Sequence, residues 1–233
     1  MLLGLNISLV CASNDTNSLY DKLDALLLRR NEFCIKKEER IDSLRNLKND
    51  GMNSMELFVL YNKIFDEYFT YRSDSAYYYL SLAEDIASHT NSNVFTDRCK
   101  INRSFLLATT GNFAQSLDVL NRIERNKIDK SMLFDYYSAY EWVYSVWSEY
   151  SADDAFSINF KKKEMEYNDS MLMVLEPSSN EFLYWNGELL ARKGDQLEAQ
   201  KSYEKALENL EVETRLSACV TCGFAFAHKG KAI

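Results

Sequence analysis

The chain has 233 residues, of which 46% are hydrophobic and 27% are charged, an ordinary composition for a globular protein of one large or two small domains. One proline and seven glycines are too few for the many turns of a β-sandwich or β-barrel. The formal net charge of −8 opposes binding to phosphate backbones, which requires clustered Lys and Arg. We therefore expect no nucleic-acid partner for this segment.

Residues 1–12 form an uncharged apolar run, MLLGLNISLVCA. The run is too short to span a bilayer but has the length of the hydrophobic region of a signal peptide, although no Lys or Arg precedes it. We interpret residues 1–16 as a candidate signal peptide, which predicts a periplasmic or envelope location. The alternative is an N-terminal helix packed on the core of a cytoplasmic protein. No later stretch is apolar for 18 consecutive residues, so no transmembrane span is expected in this chain.

Residues 17–50 carry two apolar stripes with helical spacing, separated near Asn31-Glu32. Leucines make up the first stripe, and isoleucines and leucines make up the second. This pattern predicts two helical segments that cap the N-terminal end of the structure.

Residues 182–210 contain the clearest internal repeat. Gly194-Asp195 separates two stretches of helical periodicity, with Gly187 seven residues before it and Ala199 and Ala206 five and twelve residues after it. This spacing resembles the tetratricopeptide repeat (TPR), in which small residues lie where the two helices of a hairpin cross. Pro177 ends the preceding helix in this alignment, and Ser178 or Ser179 can cap the next one.

Weaker copies of the same hairpin flank the best repeat. Gly111 occupies a turn, with Ser104 and Ser116 at the small positions. Residues 132–175 suggest a further hairpin, formed by an aromatic helix, a turn near 151–153 and a long second helix. The turns then fall near 73, 111, 152, 194 and 230, which predicts degenerate repeats over residues 51–233 with the last one incomplete. The expected fold is all-α, a TPR-like right-handed superhelix of antiparallel helix hairpins.

Three stretches together resemble one protein family: residues 19–47, 60–87 and 166–195. They are similar to the N-terminal half of a family of membrane-anchored, regulator-like proteins from Bacteroides-type bacteria. The resemblance implies a signal peptide, helical repeats outside the inner membrane, one transmembrane helix and a cytoplasmic part that regulates transcription. It supplies no ligand or catalytic residue. Because the sequence stops at Ile233, we expect a truncated member of the family.

The C-terminal residues 213–229 carry apolar side chains on more than one side of a predicted helix. A second helix after Gly230 would cover part of this surface in a complete hairpin. Terminal repeats normally present a polar outer face, so we expect self-association through this helix.

Cys219 and Cys222 form the only metal-like or redox-like motif. A zinc site needs two more ligands, and only His228 is near. Small cysteines on the core side of a helix usually pack as hydrophobic residues. We therefore expect no metal and no cofactor.

Catalytic signatures are also missing from the sequence. No GxSxG, GxGxxG or GxxxxGK[ST] motif occurs. Asp153-Asp154 and the pair Glu164 and Glu166 lie near lysines 161–163, a pattern typical of solvated helix faces.

Aromatic residues crowd residues 136–150. Tyr and Trp offer large, rigid contact areas that favour binding surfaces, although the same residues suit helices packed on both sides. In the best repeat, the first helix is expected to line the concave face. The predicted partner-binding residues are Tyr140, Tyr144 and Trp147 from the aromatic run and Tyr184, Glu188 and Arg192 from the repeat.

The sequence therefore predicts a non-catalytic binding module that recognises a protein or peptide, as the exported sensor region of a transcriptional regulator. The alternative is a ligand-sensing or hydrolytic enzyme that uses a carboxylate pair in an aromatic groove. Convergence of two carboxylates in a pocket, with a raised pKa, would favour the enzyme.

Overall fold

A computed structural model of the chain describes residues 20–21, 24–25, 27–151 and 154–208. Among these residues, regular structure consists of α-helix and one 3-10 helix (Lys130–Met132), with no β-strand, and nine α-helices have defined bounds. The all-helical, TPR-like prediction is confirmed, and its right-handed sense stays a prediction. The α-helices are α1 (Arg30–Arg45), α2 (Ser54–Phe69), α3 (Ser73–Thr90), α4 (Asn93–Thr109), α5 (Phe113–Leu120), α6 (Leu133–Tyr150), α7 (Asp154–Leu172), α8 (Asn180–Arg192) and α9 (Gln196–Glu208).

Several sequence predictions concern residues outside the described ranges. They are the candidate signal peptide at 1–16, the Cys219 and Cys222 pair, the turn near 230 and the helix expected at 213–229. None of the described helices is long and apolar enough to cross a membrane.

The chain divides into two compact units, Met1–Tyr79 and Leu80–Ile233. In the first unit, α1 packs against α2. Helix α1 begins at Arg30, directly after a turn, so the predicted interruption near residue 31 falls at its first turn. Asn53 caps α2 through a capping box: its side chain accepts from the Glu56 amide at 3.0 Å, and the Glu56 carboxylate accepts from the Asn53 amide at 2.8 Å. The division of residues 17–50 from 51–233 stays a prediction.

The second unit contains three successive helix pairs: α4 with α5, α6 with α7, and α8 with α9. Helix α6 also contacts α4 and α5, and α7 also contacts α8, so the pairs stack in chain order. An apolar core lies around α4, α5 and α6, and its buried members are Ile101, Ala108, Phe113, Leu120, Ile123, Ile128, Met132, Tyr136, Ala139, Tyr140 and Val143. The sequence order of the hairpins therefore becomes their packing order.

Two of the predicted turns depend on glycine. Gly111 and Gly194 follow the ends of α4 and α8 with φ angles of 80° and 91°, a left-handed conformation that only glycine adopts without a steric cost. The Gly194 amide donates to the Ala191 carbonyl (3.1 Å), and the Asp195 amide donates to the Leu190 carbonyl (3.0 Å). Equivalent hydrogen bonds close α4. This Schellman arrangement satisfies the last carbonyls of each helix and turns the chain into the next one.

The connection between α5 and α6 departs from a regular repeat. Helix α5 has only 8 residues, and residues 121–129 are non-helical before the 3-10 helix. This segment explains why the turns near 111 and 152 lie farther apart than a standard repeat requires. Longer helices contribute as well, since α6 has 18 residues and α7 has 19.

Small residues lie at the helix crossings, as the repeat pattern predicts. Ser116 donates to the Ser104 carbonyl at 2.7 Å, and both serines are fully buried between α4 and α5. Between α8 and α9, a Cβ atom added at Gly187 would lie 2.6 Å from the Tyr203 ring. Ala199 is 2% exposed in the same hairpin. The crossing distance thus requires small side chains.

The Ser179 hydroxyl accepts from the Phe182 amide at 3.1 Å, so the predicted cap of α8 is confirmed.

Gly187→Ala tests the close approach of α8 and α9. Helix propensity alone favours alanine by about 1 kcal/mol, whereas overpacking against a buried ring costs about 1–3 kcal/mol. We expect a net loss in the free energy of unfolding, measured by chemical denaturation. In a Tyr203→Ala background the ring is gone, and the same substitution should stabilise the protein. Stabilisation in both backgrounds would show that the helices are not in close contact.

Candidate functional site

The second unit contains a cluster of charged side chains centred on Arg192, the last residue of α8. Its guanidinium donates a hydrogen bond to Glu141 of α6 (Nη1 to Oε1, 2.8 Å). Its Nη2 atom lies 3.1 Å from Glu164 Oε1 of α7 and 3.8 Å from Glu188 Oε2, one turn earlier on α8. One cation therefore joins carboxylates from three helices.

This cluster is largely shielded from water. The side chains of Glu141 and Glu164 are 3% and 9% exposed, and that of Arg192 is 25% exposed. Three carboxylates face one guanidinium, which leaves the cluster formally two charges negative if every group is ionised. Burial disfavours the ionised form of Glu141 most strongly, and the Glu164 and Glu188 carboxylates act in the same direction, while Arg192 opposes them. Together these effects raise the pKa of Glu141 to about 7.

A second hydrogen bond connects the cluster to α9. The Tyr203 hydroxyl donates to Glu188 Oε1 at 2.5 Å. The Tyr203 ring is the group that fills the space above Gly187, so the small residue at the helix crossing also positions this hydroxyl. Tyr184 lies on the same helix face as Glu188, and its ring centroid is 6.0 Å from that of Tyr203.

An open cavity of about 430 Å³ lies beside the cluster. Glu164 and Arg192 belong both to the cluster and to the cavity wall, whereas Glu141 lies behind them and does not line the cavity. Side chains of both charge signs are present. The described residues that form this wall, called the second-unit groove below, are Ser145, Ser148 and Glu149 of α6, Lys161, Glu164 and Met165 of α7, and Arg192 of α8.

Helix α7 carries further buried polar groups. Ser157 donates to the Ser148 carbonyl at 3.2 Å. Asn168 lies one turn after Glu164 and is fully buried, and neither its Nδ2 nor its Oδ1 atom has a hydrogen-bond partner among the described residues. Leaving a buried polar group unpaired costs about 1–3 kcal/mol. Apolar packing alone therefore does not account for this face of α7.

The aromatic run of α6 packs mainly within the second unit. Tyr140 is 4% exposed and its hydroxyl donates to Asn121 at 2.8 Å, and its ring stacks on Tyr167 with centroids 4.5 Å apart. Tyr144 stacks on the same Tyr167 ring at 5.8 Å. Burial raises the pKa of both hydroxyls. The Tyr140 side chain thus belongs to the core in this structure.

Trp147 lies between two other aromatic rings. Its ring stacks on Phe160 of α7, with centroids 4.5 Å apart, and on Phe113 of α5 at 5.4 Å. It remains partly exposed.

The structure separates the six residues that were predicted to bind a partner into two groups. Glu188 and Arg192 belong to one charged cluster, and Tyr184 lies beside them. Tyr140, Tyr144 and Trp147 instead stack on aromatic rings of α7.

Sequence reasoning missed Glu141 and misread Glu164. Glu164 was expected on a solvated face, but it is buried because Arg192 of the next helix lies against it. A signal for Glu141 does exist: α6 contains no Lys or Arg. A carboxylate within such an aromatic helix has no cation one turn away, so its partner must come from another helix.

The described residues contain no group of three or more His, Cys, Asp and Glu side chains that could hold a metal ion. Cys99 is buried, and this burial raises the pKa of its thiol to about 12, which opposes thiolate chemistry. The chemistry that the cluster offers is therefore charge-assisted hydrogen bonding from a fixed guanidinium, together with one carboxyl group that titrates near neutral pH.

Paired helices with small residues at their crossings and glycine at their turns define a TPR-type helical-repeat protein. The family model described as the SusR N-terminal TPR domain matches residues 27–232. The chain therefore belongs to this family, as the resemblance indicated. A TPR-type domain is typically non-catalytic and mediates protein interactions. No curated protein and no solved structure matches the chain.

The raised pKa of Glu141 predicts a pH-dependent stability. Its ordinary value is 4.5, and the folded value is about 7. Between these values the folded state holds the proton more tightly than the unfolded state, so this group's contribution is greatest at low pH and is lost as pH rises from 4.5 to 7. We expect the loss to be roughly 1–3 kcal/mol in the free energy of unfolding.

Denaturation of the Glu141→Gln variant at several pH values measures this effect, because glutamine cannot titrate. The difference between wild type and variant should decrease by that amount as pH rises from 4.5 to 7. Glu181→Gln, at an exposed position of α8, serves as the matched control and should show a nearly constant difference. A constant difference for Glu141→Gln as well would mean that Glu141 is ionised throughout this range.

Proposed function

We propose that this chain is a non-catalytic binding module that holds a protein or peptide segment in the second-unit groove. The observation that carries the proposal is the position of Arg192. Its guanidinium lines the groove, and the buried Glu141 carboxylate holds it from behind at 2.8 Å. A charged group that is fixed before binding loses little conformational freedom when a ligand arrives.

The wall of the groove suits a polypeptide ligand. Lys161 and Arg192 present positive charge, Glu149 and Glu164 present negative charge, and two serines add hydroxyl groups. A peptide carries N–H donors, carbonyl acceptors and side chains of both signs, so it can complement such a mixed surface. A ligand with a single type of charge would leave part of the wall without a partner.

The predicted partner-binding residues take different roles in this proposal. Arg192 supplies a fixed positive charge on the wall of the groove. Glu188 and Tyr184 lie on α8 outside that wall, and Glu188 contacts Arg192 at 3.8 Å. Tyr144 and Trp147 stiffen the α6 wall through their stacking on α7. Tyr140 supports them from the core.

One observation favours the alternative of a carboxylate-dependent enzyme. Glu141 and Glu164 converge on one guanidinium, and Glu141 has a pKa of about 7, which suits a general acid. However, the Glu141 side chain is only 3% exposed and does not line the groove. A catalytic acid must come within hydrogen-bond reach of its substrate, so the binding module is the better supported function.

We also propose that the module is exported and acts as the sensor region of a transcriptional regulator. The apolar, uncharged residues 1–12 support export, and membership of the SusR N-terminal TPR domain family supports a regulatory context.

Site-specific photo-crosslinking in cells tests the groove. A photoreactive amino acid at Met165, which lines the groove, should yield a discrete adduct whose protein component mass spectrometry identifies. Lys161→Glu reverses a charge on the wall and should reduce the adduct about fivefold or more. The adjacent exposed residue provides the matched control, since Lys162→Glu makes the same charge change outside the wall.

Equal adduct yields for Lys161→Glu and Lys162→Glu would contradict the proposed groove. The same cells can be fractionated to test export. Recovery of the chain and its adduct only from the cytoplasm, with residues 1–16 still attached, would contradict the exported location.

A further inference from the structure

We propose that the first unit contains a separate binding site for an acidic peptide segment, in a groove between α1 and the residues that follow α2. The groove has a volume of about 390 Å³. Four basic residues line it, all from α1: Arg30, Lys36, Lys37 and Arg40. None of the described residues that line this basic groove is acidic, although the whole chain carries a net charge of −8.

The helical spacing gathers these cations on one side of α1. Arg30, Lys37 and Arg40 are separated by seven and three residues, which places them along one face of a helix. Lys36 adds a fourth charge at the edge of this face. Like charges at such spacing repel one another, so an arriving anion relieves a cost that the free protein carries.

Neighbouring carboxylates neutralise this charge only in part. Glu67 of α2 lies 2.7 Å from Lys37 and 3.6 Å from Arg40, so one carboxylate serves two cations. Arg30 and Lys36 are exposed and form no ion pair within the described part of the chain. Glu38 also contacts Tyr71 of the groove wall, but it is paired with Arg72 at 3.3 Å. The four lining cations and Glu67 together carry a formal net charge of plus three.

The dimensions favour a peptide over a single small anion. Arg30 and Arg40 are ten positions apart, which corresponds to about 15 Å along a helix axis. A phosphate ion cannot reach both ends, whereas four or five residues of an extended peptide span about that length. Phe33 lies between the two ends and is 48% exposed, and Tyr71 lines the facing wall. A segment that combines acidic with apolar side chains matches this arrangement.

This site is independent of the second-unit groove, because every residue that forms it belongs to the first unit. It concerns a different ligand chemistry as well. The second-unit groove offers charges of both signs, whereas the basic groove selects for negative charge.

Fluorescence anisotropy with the full chain tests the basic groove. The probe is a labelled peptide of about eight residues that alternates glutamate and leucine, long enough to span the groove. A peptide with glutamine in place of glutamate serves as the neutral control. We expect the acidic peptide to bind, to weaken as salt rises from about 50 to 500 mM, and to bind at least tenfold more tightly than the neutral peptide.

Arg30→Glu combined with Lys36→Glu should weaken binding of the acidic peptide by about tenfold or more. Because neither residue forms an ion pair among the described residues, the variant should retain its thermal transition, which circular dichroism checks. Lys162→Glu combined with Lys205→Glu carries the same change in net charge at exposed positions of α7 and α9, and it should bind within about twofold of wild type. Lys161→Glu, in the second-unit groove, should bind as wild type does.

Four results would overturn the proposal. Equal binding of the neutral peptide would exclude recognition of negative charge. Equal loss in both double variants would reduce the effect to net charge, and loss in Lys161→Glu would assign the peptide to the other groove. Tighter binding of phosphatidylglycerol vesicles or of single-stranded DNA through Arg30 and Lys36 would assign the basic groove to another class of ligand.

Discussion

The arrangement of the second unit depends on one guanidinium group, that of Arg192, which three carboxylates share. The carboxylates come from α6, α7 and α8. Burying ionised groups costs free energy that only close pairing offsets, and removing one partner of such a pair typically costs about 3–5 kcal/mol. The three helices therefore have one favourable register, in which Arg192 lies 2.8, 3.1 and 3.8 Å from carboxylates of α6, α7 and α8. The second-unit groove exists in that register, because its wall combines residues from the same three helices.

Because Arg192 holds its carboxylates in ion pairs, the charged cluster suits binding better than catalysis. A general acid or base must exchange protons with a ligand, but the most strongly perturbed carboxyl, Glu141, faces Arg192 and lies behind the wall of the groove. Its raised pKa reflects the free-energy cost of burial. The groups that reach the groove are the Arg192 guanidinium, which is held in place by Glu141, and the Glu164 carboxylate beside it. Fixed charges of opposite sign favour selective recognition of a ligand that carries both.

The sequence predicts the hairpins well because their signals are local. Gly194 must adopt a left-handed conformation at a helix end, and Gly187 must leave space for an aromatic ring. Both requirements limit the residue type at one position, so a single sequence reveals them. The same is true of the serine pair at positions 104 and 116. Even the irregular segment after α5 leaves a local trace, because it lengthens the interval between two turns.

The charge cluster could not be predicted in the same way. Glu141 and Arg192 are separated by 51 positions, and their pairing depends on how one hairpin stacks on the next. The local sequence of Glu164, next to three lysines, suggests a solvated surface, and only the position of α8 makes it a buried ion-pair partner. The aromatic run poses a similar problem. Tyr140 and Trp142 are separated by one residue, yet the first is 4% exposed and the second is 38% exposed. Helical periodicity assigns each side chain to a face, but tertiary packing decides which faces are covered.

The pair formed by Glu141 and Arg192 links α6 to α8 and holds these two helices in register. A double-mutant cycle measures this pair directly, with the free energy of unfolding determined at about pH 8, above the pKa of Glu141. The four proteins are the wild type, Glu141→Gln, Arg192→Gln and the double variant. We predict a coupling energy of about 1.5 kcal/mol or more, because Arg192→Gln leaves the buried Glu141 carboxylate without its cation, and this cost disappears when residue 141 is glutamine. A coupling energy below about 0.5 kcal/mol, the range expected for independent sites, would contradict this account.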